Sequence, residues 1–494
     1  MRYGNLKAGV LAGLAMLALV ACGGGGGGSA PAIGGDDGGD DNGVGGIDRG
    51  GVATGTITGF GSVFVNGVRF DTANAAIVLD GATATEDDLR VGYVVVVAGQ
   101  IDDDGVNGTA QRVESEFEVK GPVDAVDLTS GQLTVLGRVV LAGAATLYGG
   151  GVASLDDLAA LADQSEVIVE VSGFQDSDGA IRATRIEVED GAAAEFEVRG
   201  RIQALETAAS TFLLGTLVVD YSGAVLEDFP AAGPAEGDAV EVHGTRQGDV
   251  LVATRLQRED DIRARAEDGG RVEIEGFVTS LTGSGSFEVS GVPVATTSAT
   301  VFEGGSAANI ALNVRVEAKG TWDGAAGVLR ATRVQFEQEA DLRVTGSVEA
   351  VDATGATFTA VGVDVGVTTR TTFEDDRDDD RLFGLARLSI GDWVEVRGIQ
   401  GSGGALVATL VERDEADTES EVRGPAADVD VAARSLTILG AAIATTPSTQ
   451  YRQVDDTPIT AEAFFQALAT DALVSAKGTW DGTTLTAQEI EFEN

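Results

Sequence analysis

The sequence predicts an all-β protein built from small five-stranded barrels. Valine, threonine, alanine and glycine alternate through most of the 494 residues, and the chain holds 69 glycines but only 8 prolines. Alternating β-branched residues are typical of strands, and frequent glycines are typical of the turns that join them. An internal repeat is the third observation, and it sets the size of each barrel.

A short strand that ends in glycine opens each copy of this repeat. The opening glycines lie 66 to 79 residues apart and are Gly55, Gly121, Gly200, Gly276, Gly346 and Gly424. Each copy contains a second strand that ends in glycine, such as the strand ending at Gly244, and closes on a phrase like Ala331-Thr332-Arg333-Val334. Recurrence of this kind defines a repeat architecture. We therefore predict six tandem domains.

The predicted repeats follow two segments of different composition. Residues 1–21 have the pattern of a lipoprotein signal peptide, and residues 22–51 form a disordered tether rich in glycine and aspartate. The repeats then occupy residues 52–116, 117–190, 195–258, 271–337, 341–413 and 419–493. Because the connections between them are mostly short, we expect chain neighbours to pack end to end.

Within a repeat the predicted order is three strands, a short helix or loop, and two further strands. Ser154 starts one helical segment, with acidic residues in its first turn, and Thr460 starts another. Elsewhere the segment shortens to a turn. This order matches the five-stranded OB-type barrel, for which another small closed barrel or a sandwich is the alternative.

The closing phrase of each repeat predicts a β-bulge. In the fourth repeat, Leu329 and Ala331 share one face of the last strand, whereas Val334 and Phe336 have the opposite parity. Side chains alternate strictly along a strand, so one extra residue is needed to keep all four apolar groups inward. We therefore expect a bulge or sharp bend at the Thr-Arg pair of each repeat.

The only cysteine, Cys22, is predicted to carry lipid. Arg2, Lys7 and an apolar run precede Leu19-Val20-Ala21-Cys22, and a glycine tract follows it. This order is that of a signal peptide with a small-residue cleavage site, and it resembles the lipobox of bacterial lipoproteins. A secreted protein with a stray thiol is the alternative. By resemblance to Gram-negative lipoproteins, Gly23 favours the outer membrane, on its periplasmic or cell-surface side.

Charge and residue content exclude several function classes. The formal net charge is −46, which repels nucleic acid, so we expect no nucleic-acid partner. With one histidine and one lipidated cysteine, Cys/His zinc sites and Ser-His or Cys-His nucleophiles are excluded. His243 has the outward parity and lies where other repeats place serine, lysine or arginine, so we expect it on the solvated surface. The sequence thus predicts neither an enzyme nor a cofactor.

Acidic turns and tryptophans are the remaining candidates for a binding site. The sequence predicts no specific metal site, and the turn carboxylates that come nearest to one are Asp102, Asp104, Asp176 and Asp178. Asp-Gly hairpin turns explain the same residues. Three aromatic side chains could stack on sugars or pack against a neighbouring repeat, namely Trp322, Trp393 and Trp480.

Several phrases resemble a known family. The run from Gly59 to Val68 and the Lys-Gly-Thr-Trp-Asp-Gly phrases at 319–324 and 477–482 resemble bacterial lipoproteins built from domain of unknown function 5666. That family has no established activity, so the resemblance implies no site residues. We therefore expect a lipid-anchored envelope protein with a structural or protein-interaction role, attached to the membrane through Cys22. A binding protein for glycans or divalent cations, acting through acidic loops, is the alternative.

Overall fold

The computed structural model describes residues 50–161, 167–189, 195–259, 265–283, 285–338, 340–401 and 404–493. The predicted signal peptide, Cys22 and the predicted tether as far as residue 49 lie outside the described residues.

The first three repeats consist of short strands with one short helix. The strands of the first repeat are β1 (Gly51–Gly59), β2 (Val63–Val65), β3 (Val68–Asp71), β4 (Ala76–Leu79), β5 (Ala82–Ala84), β6 (Val94–Ile101) and β7 (Asn107–Ser115). The second repeat contains β8 (Val119–Asp127), β9 (Gln132–Val135), β10 (Arg138–Gly149), α1 (Leu155–Ala159), β11 (Ile168–Gln175) and β12 (Ile181–Glu189). The third contains β13 (Phe196–Arg201), β14 (Gln203–Glu206), β15 (Thr211–Leu214), β16 (Leu217–Asp220), β17 (Val225–Glu227), β18 (Ala239–Gln247) and β19 (Val250–Arg258).

The last three repeats follow the same plan. The fourth contains β20 (Arg271–Gly283), β21 (Ser286–Val289), β22 (Val292–Ala295), β23 (Val301–Glu303), β24 (Arg315–Asp323) and β25 (Val328–Phe336). The fifth contains β26 (Leu342–Asp352), β27 (Thr357–Ala360), β28 (Val363–Gly366), β29 (Thr372–Asp375), β30 (Trp393–Gln400) and β31 (Leu406–Asp414). The sixth contains β32 (Ser420–Asp430), β33 (Ser435–Ile438), β34 (Ala441–Arg452), β35 (Pro458–Ile459), α2 (Ala461–Ala467), β36 (Leu473–Trp480) and β37 (Thr484–Phe492).

Strand pairing closes each repeat into a five-stranded barrel, as the fourth repeat illustrates. Its opening strand β20 pairs antiparallel with β21 and β24, and β21 pairs with β22. The last strand β25 pairs antiparallel with β24 and parallel with both β22 and β23, which closes the ring. β22 and β23 are two segments of the third strand, which is the single strand β34 in the sixth repeat, so the ring has five strands. The protein is therefore all-β and built from six tandem barrels, as the sequence predicts.

Three strands recur in the same roles in every barrel. The opening strands are β1, β8, β13, β20, β26 and β32; the fourth strands are β6, β11, β18, β24, β30 and β36; the last strands are β7, β12, β19, β25, β31 and β37. The opening strand pairs with the fourth strand, and the fourth strand pairs with the last.

Both helical segments form at the predicted N-caps. The hydroxyl of Ser154 accepts a hydrogen bond from the backbone N–H of Asp157 at the start of α1, and that of Thr460 accepts one from Ala463 at the start of α2. Such caps satisfy a donor that the first turn leaves free. In the first repeat the segment is a 3₁₀ turn at Glu86–Asp88. Within the described residues, every helix is too short or too polar to cross a membrane.

A β-bulge occurs in the last strand of all six repeats, as the change of parity predicts. In the fourth repeat Lys319 pairs with Arg333 and Gly320 pairs with Ala331, which leaves Thr332 as the extra residue. The corresponding extra residues are Gln111, Thr184, Thr254, Thr332, Thr409 and Gln488. The bulge keeps the apolar residues on both sides of it directed into the barrel.

The bulge explains the second recurring glycine. A Cβ atom on Gly320 would overlap the carbonyl oxygen of Arg330, which the bulge brings against the fourth strand. The same overlap with a backbone carbonyl occurs at the corresponding glycines, which are Gly99, Gly173, Gly244, Gly320, Gly398 and Gly478. Only a residue without a side chain fits this close approach.

The opening glycine makes room for a hairpin. In the fifth repeat, Val361 has φ of 51° and lies in the turn between β27 and β28, where its side chain contacts the position that a Cβ on Gly346 would take. Gly362 follows with φ of 71°. Two left-handed residues in a two-residue turn are the geometry of tight β-hairpins.

Apolar side chains fill the barrels and, in two cases, form a core that continues between them. One cluster spans the second and third repeats and includes Val119 and Val198, and another spans the fifth and sixth and includes Val344 and Val422. The first and fourth repeats have cores of their own. A further buried contact joins Val91, Leu147 and Leu410, which belong to three different repeats.

Opening strands join the barrels in pairs. β8 pairs antiparallel with β13, and β26 pairs antiparallel with β32, so the second repeat joins the third and the fifth joins the sixth. The first repeat pairs with the fourth instead, through a parallel contact between β1 and β20. The expected packing of chain neighbours is present in two pairs, and the pairing of the first repeat with the fourth is a contact that the sequence did not predict.

Replacement of Gly320 by alanine tests the role of the bulge glycine. The added methyl group would meet the Arg330 carbonyl, so we expect G320A to destabilise the protein by about 2–3 kcal/mol. Urea unfolding followed by circular dichroism measures the shift. Gly223→Ala is the matched control, because a Cβ there meets no atom within 4 Å. Equal unfolding midpoints for the two variants would contradict the proposed constraint.

Candidate functional site

The outward faces of the opening and fourth strands carry charged side chains. In the third repeat, alternation directs Val198 of β13 and Val242 of β18 into the barrel, so Glu197, Glu241 and His243 point outward. These outward groups are nevertheless largely shielded from solvent, because neighbouring repeats cover them. Glu197 is 2 % exposed and Glu241 is 6 % exposed.

In two other repeats a permanent cation neutralises the same face. Lys319 of the fourth repeat lies 3.0 Å from Glu273 and 2.8 Å from Glu317. In the fifth repeat, Arg397 occupies the corresponding position, with its Nε 2.5 Å from Glu395. Buried carboxylates need such partners, because an uncompensated charge in a protein interior is costly.

The third repeat has His243 where those repeats have lysine or arginine. Its Nε2 bonds the Oε1 of Glu241, and the ligand atoms of Glu197, Glu241 and His243 all lie within 4.8 Å of one another. Arg255 donates a hydrogen bond of 3.0 Å to Glu241 and also contacts the His243 ring. We call these three residues, together with Asp80 of the first repeat, whose carboxylate adjoins that of Glu197, the His243 cluster.

Glu197 is the most unusual member of this cluster. Among the described residues, no donor lies within hydrogen-bonding distance of either oxygen of its carboxylate. Burial, and then the carboxylates of Asp80 and Glu241, raise the pKa of Glu197 to about 11. Asp80 comes from the turn after β4 in the first repeat, so the cluster joins side chains of two repeats.

Glu241 behaves in the opposite way. Burial acts to raise its pKa, but the hydrogen bond from His243 and the charge of Arg199 outweigh burial and lower it. The pKa values of two neighbouring carboxylates are therefore shifted in opposite directions. Perturbed pKa values of this kind are common at functional sites.

A cleft between the first two repeats borders Asp80 of the His243 cluster. It encloses about 330 Å³, and Asp80, Tyr93, Lys120 and Glu170 are among the residues that line it. Asp80 thus faces both the cleft and Glu197. The Lys120 ammonium bonds Glu170 on the cleft wall, so this cation already has an acidic partner.

The prediction that His243 lies on the solvated surface is wrong. The side chain points outward from its barrel, as its parity predicts, but it is only 15 % exposed. Strand parity separates the core of a barrel from its outer face. It carries no information on whether another repeat covers that outer face, so the cluster could not be found from the sequence of one repeat.

The acidic turn residues are not part of this cluster. Asp104 and Asp176 accept hydrogen bonds from backbone N–H groups of their own turns. Asp104 accepts hydrogen bonds from the backbone N–H groups of Val106 and Asn107, at 2.9 and 3.0 Å. These bonds lower the pKa of Asp104. Asp102 is exposed beside the same turn.

The second acidic turn contacts a different repeat. Asp176 is 5 % exposed and accepts hydrogen bonds from the backbone N–H groups of Asp178 and Ala180, each at 3.0 Å. Asp178 accepts a hydrogen bond of 3.3 Å from Asn313 of the fourth repeat. Turn and inter-repeat bonds therefore occupy these carboxylates.

The three tryptophans have different surroundings. Trp322 is 3 % exposed in the core of the fourth repeat and offers no open ring face to a sugar, which removes the reason for proposing it as a binding residue. Trp480 of the sixth repeat donates a hydrogen bond to Glu349 and covers Gly362, both in the fifth repeat. Trp393 is half-buried at the start of β30.

Cys22, the predicted site of lipid attachment, lies outside the described residues.

Fold and repeats together define a protein of tandem small β-barrels. The family of the domain of unknown function 5666 matches all six copies, at residues 51–114, 120–187, 199–257, 275–335, 345–412 and 423–491. The chain belongs to this family. No curated protein matches it.

Buried ion pairs also connect the repeats, and replacement of Arg185 by alanine tests how much one such pair contributes to stability. The Nη1 of Arg185 lies 2.8 Å from Glu374 of the fifth repeat and donates to the Val91 carbonyl of the first repeat at 3.2 Å. We expect R185A to destabilise the protein by about 3–5 kcal/mol, because Glu374 would keep a buried charge without its partner. Thermal unfolding measures the loss.

A matched control for R185A is available in the fourth repeat. Arg330 pairs with Asp323 at 2.5 Å, but its side chain is 59 % exposed. Exposed pairs contribute about 0–1 kcal/mol, so R330A should be nearly neutral. If R185A were equally mild, the buried pair would not be what holds the repeats together.

Replacement of Glu412 by glutamine tests how an acidic side chain with a raised pKa affects the pH dependence of stability. Burial, and then Asp376, raise the pKa of Glu412 to about 8. Since this value exceeds that of the unfolded chain, the stabilising contribution of the protonated form is lost as pH rises from about 4.5 to 8. We expect E412Q to reduce the decline of the unfolding midpoint across this range.

Glu491 is the control for E412Q because it occupies the same position in the sixth repeat. Its pKa is also raised, first by burial and then by Glu493, but the shift is smaller than that of Glu412. E491Q should therefore change the pH profile less than E412Q. An E412Q profile that matches the unmodified protein would refute the assignment.

Proposed function

We propose that the protein is a lipid-anchored component of the bacterial cell envelope, carried on the outer membrane, with a structural or protein-interaction role and no enzymatic activity. The observation that carries this proposal is the order of a basic start, an apolar run, Leu19-Val20-Ala21-Cys22 and a glycine tract. Lipid on Cys22 would hold the protein to the membrane, because acyl chains contribute about 0.8 kcal/mol per buried methylene.

The connections among the barrels support a structural role. Strand pairing and buried ion pairs join repeats that are distant in sequence, as in the contacts of β1 with β20 and of Arg185 with Glu374. A chain joined in this way presents its repeats in fixed relation to one another. That property suits a protein that holds or displays surfaces at the envelope.

We further propose that each barrel is of the OB type. The last strand runs parallel to the third and antiparallel to the fourth, and α1 and α2 lie between the third and fourth strands of their repeats. This order agrees with a five-stranded Greek-key barrel. The strong negative charge speaks against the nucleic-acid binding that such barrels often perform.

Binding of divalent cations is the second candidate function, and the His243 cluster favours it. The acidic loops support it less, because the carboxylates of Asp104 and Asp176 already accept backbone hydrogen bonds. Glycan binding is also less favoured, because Trp322 is buried and Trp480 contacts the neighbouring repeat.

Cys22→Ala tests the lipid anchor. We expect the unmodified protein to fractionate with the outer membrane and to incorporate a labelled fatty acid, whereas C22A should be released in soluble form without label. Alanine keeps the apolar run intact and removes only the acylated thiol. A C22A protein that still fractionates with membranes would falsify the proposal.

A further inference from the structure

We propose that the His243 cluster binds a divalent metal ion of the zinc class where the first and third repeats meet. The ligands are the carboxylates of Asp80, Glu197 and Glu241 and the imidazole of His243. This inference goes beyond the proposed function, and it does not depend on the lipid at Cys22.

The burial of Glu197 is the first argument. Glu197 is 2 % exposed, and among the described residues its carboxylate has no hydrogen-bond donor. Buried carboxylates in proteins are paired or bind a metal. The oxygens of Glu197 instead point toward the ligand atoms of Glu241 and His243, all within 4.8 Å of one another.

The donor set selects the kind of ion. Imidazole nitrogen with carboxylate oxygen is a combination that zinc and its transition-metal neighbours accept, whereas calcium and magnesium prefer oxygen alone. A tetrahedral ion bound at about 2.1 Å holds its ligand atoms about 3.4 Å apart. The ligand atoms of Glu197, Glu241 and His243 lie within 4.8 Å of one another.

Comparison among the repeats is the second argument. The fourth and fifth repeats place Lys319 and Arg397 beside their outward glutamates, and these side chains supply a permanent positive charge. The third repeat places His243 there instead, while it retains both glutamates and adds Asp80. A bound cation would supply the charge that Lys319 and Arg397 supply in the fourth and fifth barrels. The sixth repeat has Lys477 at this position, whereas the first and second have Ala98 and Ser172.

Access and competing cations fit the same interpretation. Asp80 lines the cleft of about 330 Å³ between the first and second repeats, so one of the proposed ligands borders an open cleft. Arg199 is already held by Glu116 and Glu259, each at 2.5 Å. Arg255 is 36 % exposed and also faces Glu227 at 3.9 Å, so it has an alternative partner when an ion binds Glu241.

A proton shared between Glu197 and Asp80 is the competing explanation. It would neutralise the buried carboxylates without any ion. It requires nothing of His243, whereas a metal site requires its nitrogen. The two explanations therefore differ in what they predict for zinc titration and for the histidine variant.

The experiment is a titration of the chelator-treated, full-length protein with Zn²⁺. Calorimetry should show one saturable site, and Zn²⁺ should raise the thermal unfolding midpoint, whereas equal concentrations of Ca²⁺ should not. E197Q and H243Q should each weaken Zn²⁺ binding by about tenfold or more and abolish the thermal shift. Bound Co²⁺ should give visible absorption bands that H243Q alters, which reports the nitrogen ligand directly.

Glu273→Gln is the matched control. Glu273 occupies the position of Glu197 in the fourth repeat and is 6 % exposed, but it is paired with Lys319. E273Q should therefore leave Zn²⁺ affinity unchanged. Circular dichroism identifies any variant that fails to fold, and D80N then serves as the second ligand variant.

Two outcomes would overturn the proposal. In the first, the unmodified protein shows no saturable Zn²⁺ binding, as a shared proton predicts. In the second, E197Q and H243Q bind Zn²⁺ as tightly as E273Q does, which would assign the binding to surface carboxylates elsewhere on this acidic chain.

Discussion

The extra residue in the last strand of each repeat, packed against a glycine of the fourth strand, is the constraint on which the rest of the structure depends. Where Thr332 bulges out of β25, the strand bends and the Arg330 carbonyl approaches Gly320. The bend lets one strand pair with the fourth strand along its whole length and with the third strand in parallel. Without it, half of the apolar residues of β25 would face water. Closure of the barrel thus depends on the extra residue Thr332 and on the absence of a side chain at Gly320.

Closure in turn decides where the charges lie. Once valines fill the inside of a barrel, the alternate residues of the opening and fourth strands must face outward, and in this chain many of them are glutamates. Opening strands also join the barrels in pairs, so these glutamates become buried between repeats. Each such face then needs a positive partner. Lys319 and Arg397 provide it at two of these faces.

Local features were predictable from the sequence because they depend on neighbouring residues. The parity change between Ala331 and Val334 locates the bulge, and the hydroxyls of Ser154 and Thr460 locate the helix caps. The pairing of β1 with β20 was not predictable, since the opening strands are similar and either one could pair with any other. For the same reason the burial of His243 could not be read from its outward parity. Asp80, which lies 117 residues before Glu197 in the chain, carries no local signal that links the two.

Repetition makes the exceptions informative. Six copies of one barrel supply internal comparisons, so a residue that differs from its counterparts at an equally buried position requires a physical reason. At the position before the bulge glycine, lysine or arginine satisfies outward glutamates in the fourth and fifth repeats, and His243 replaces them in the third. Histidine can be neutral and can bind a metal, which neither lysine nor arginine does in the same setting. The third repeat therefore has the barrel of its neighbours but a different side chain on its outer face. The carboxylate of Glu197, which is buried and has no donor among the described residues, is the group that this difference leaves to be satisfied.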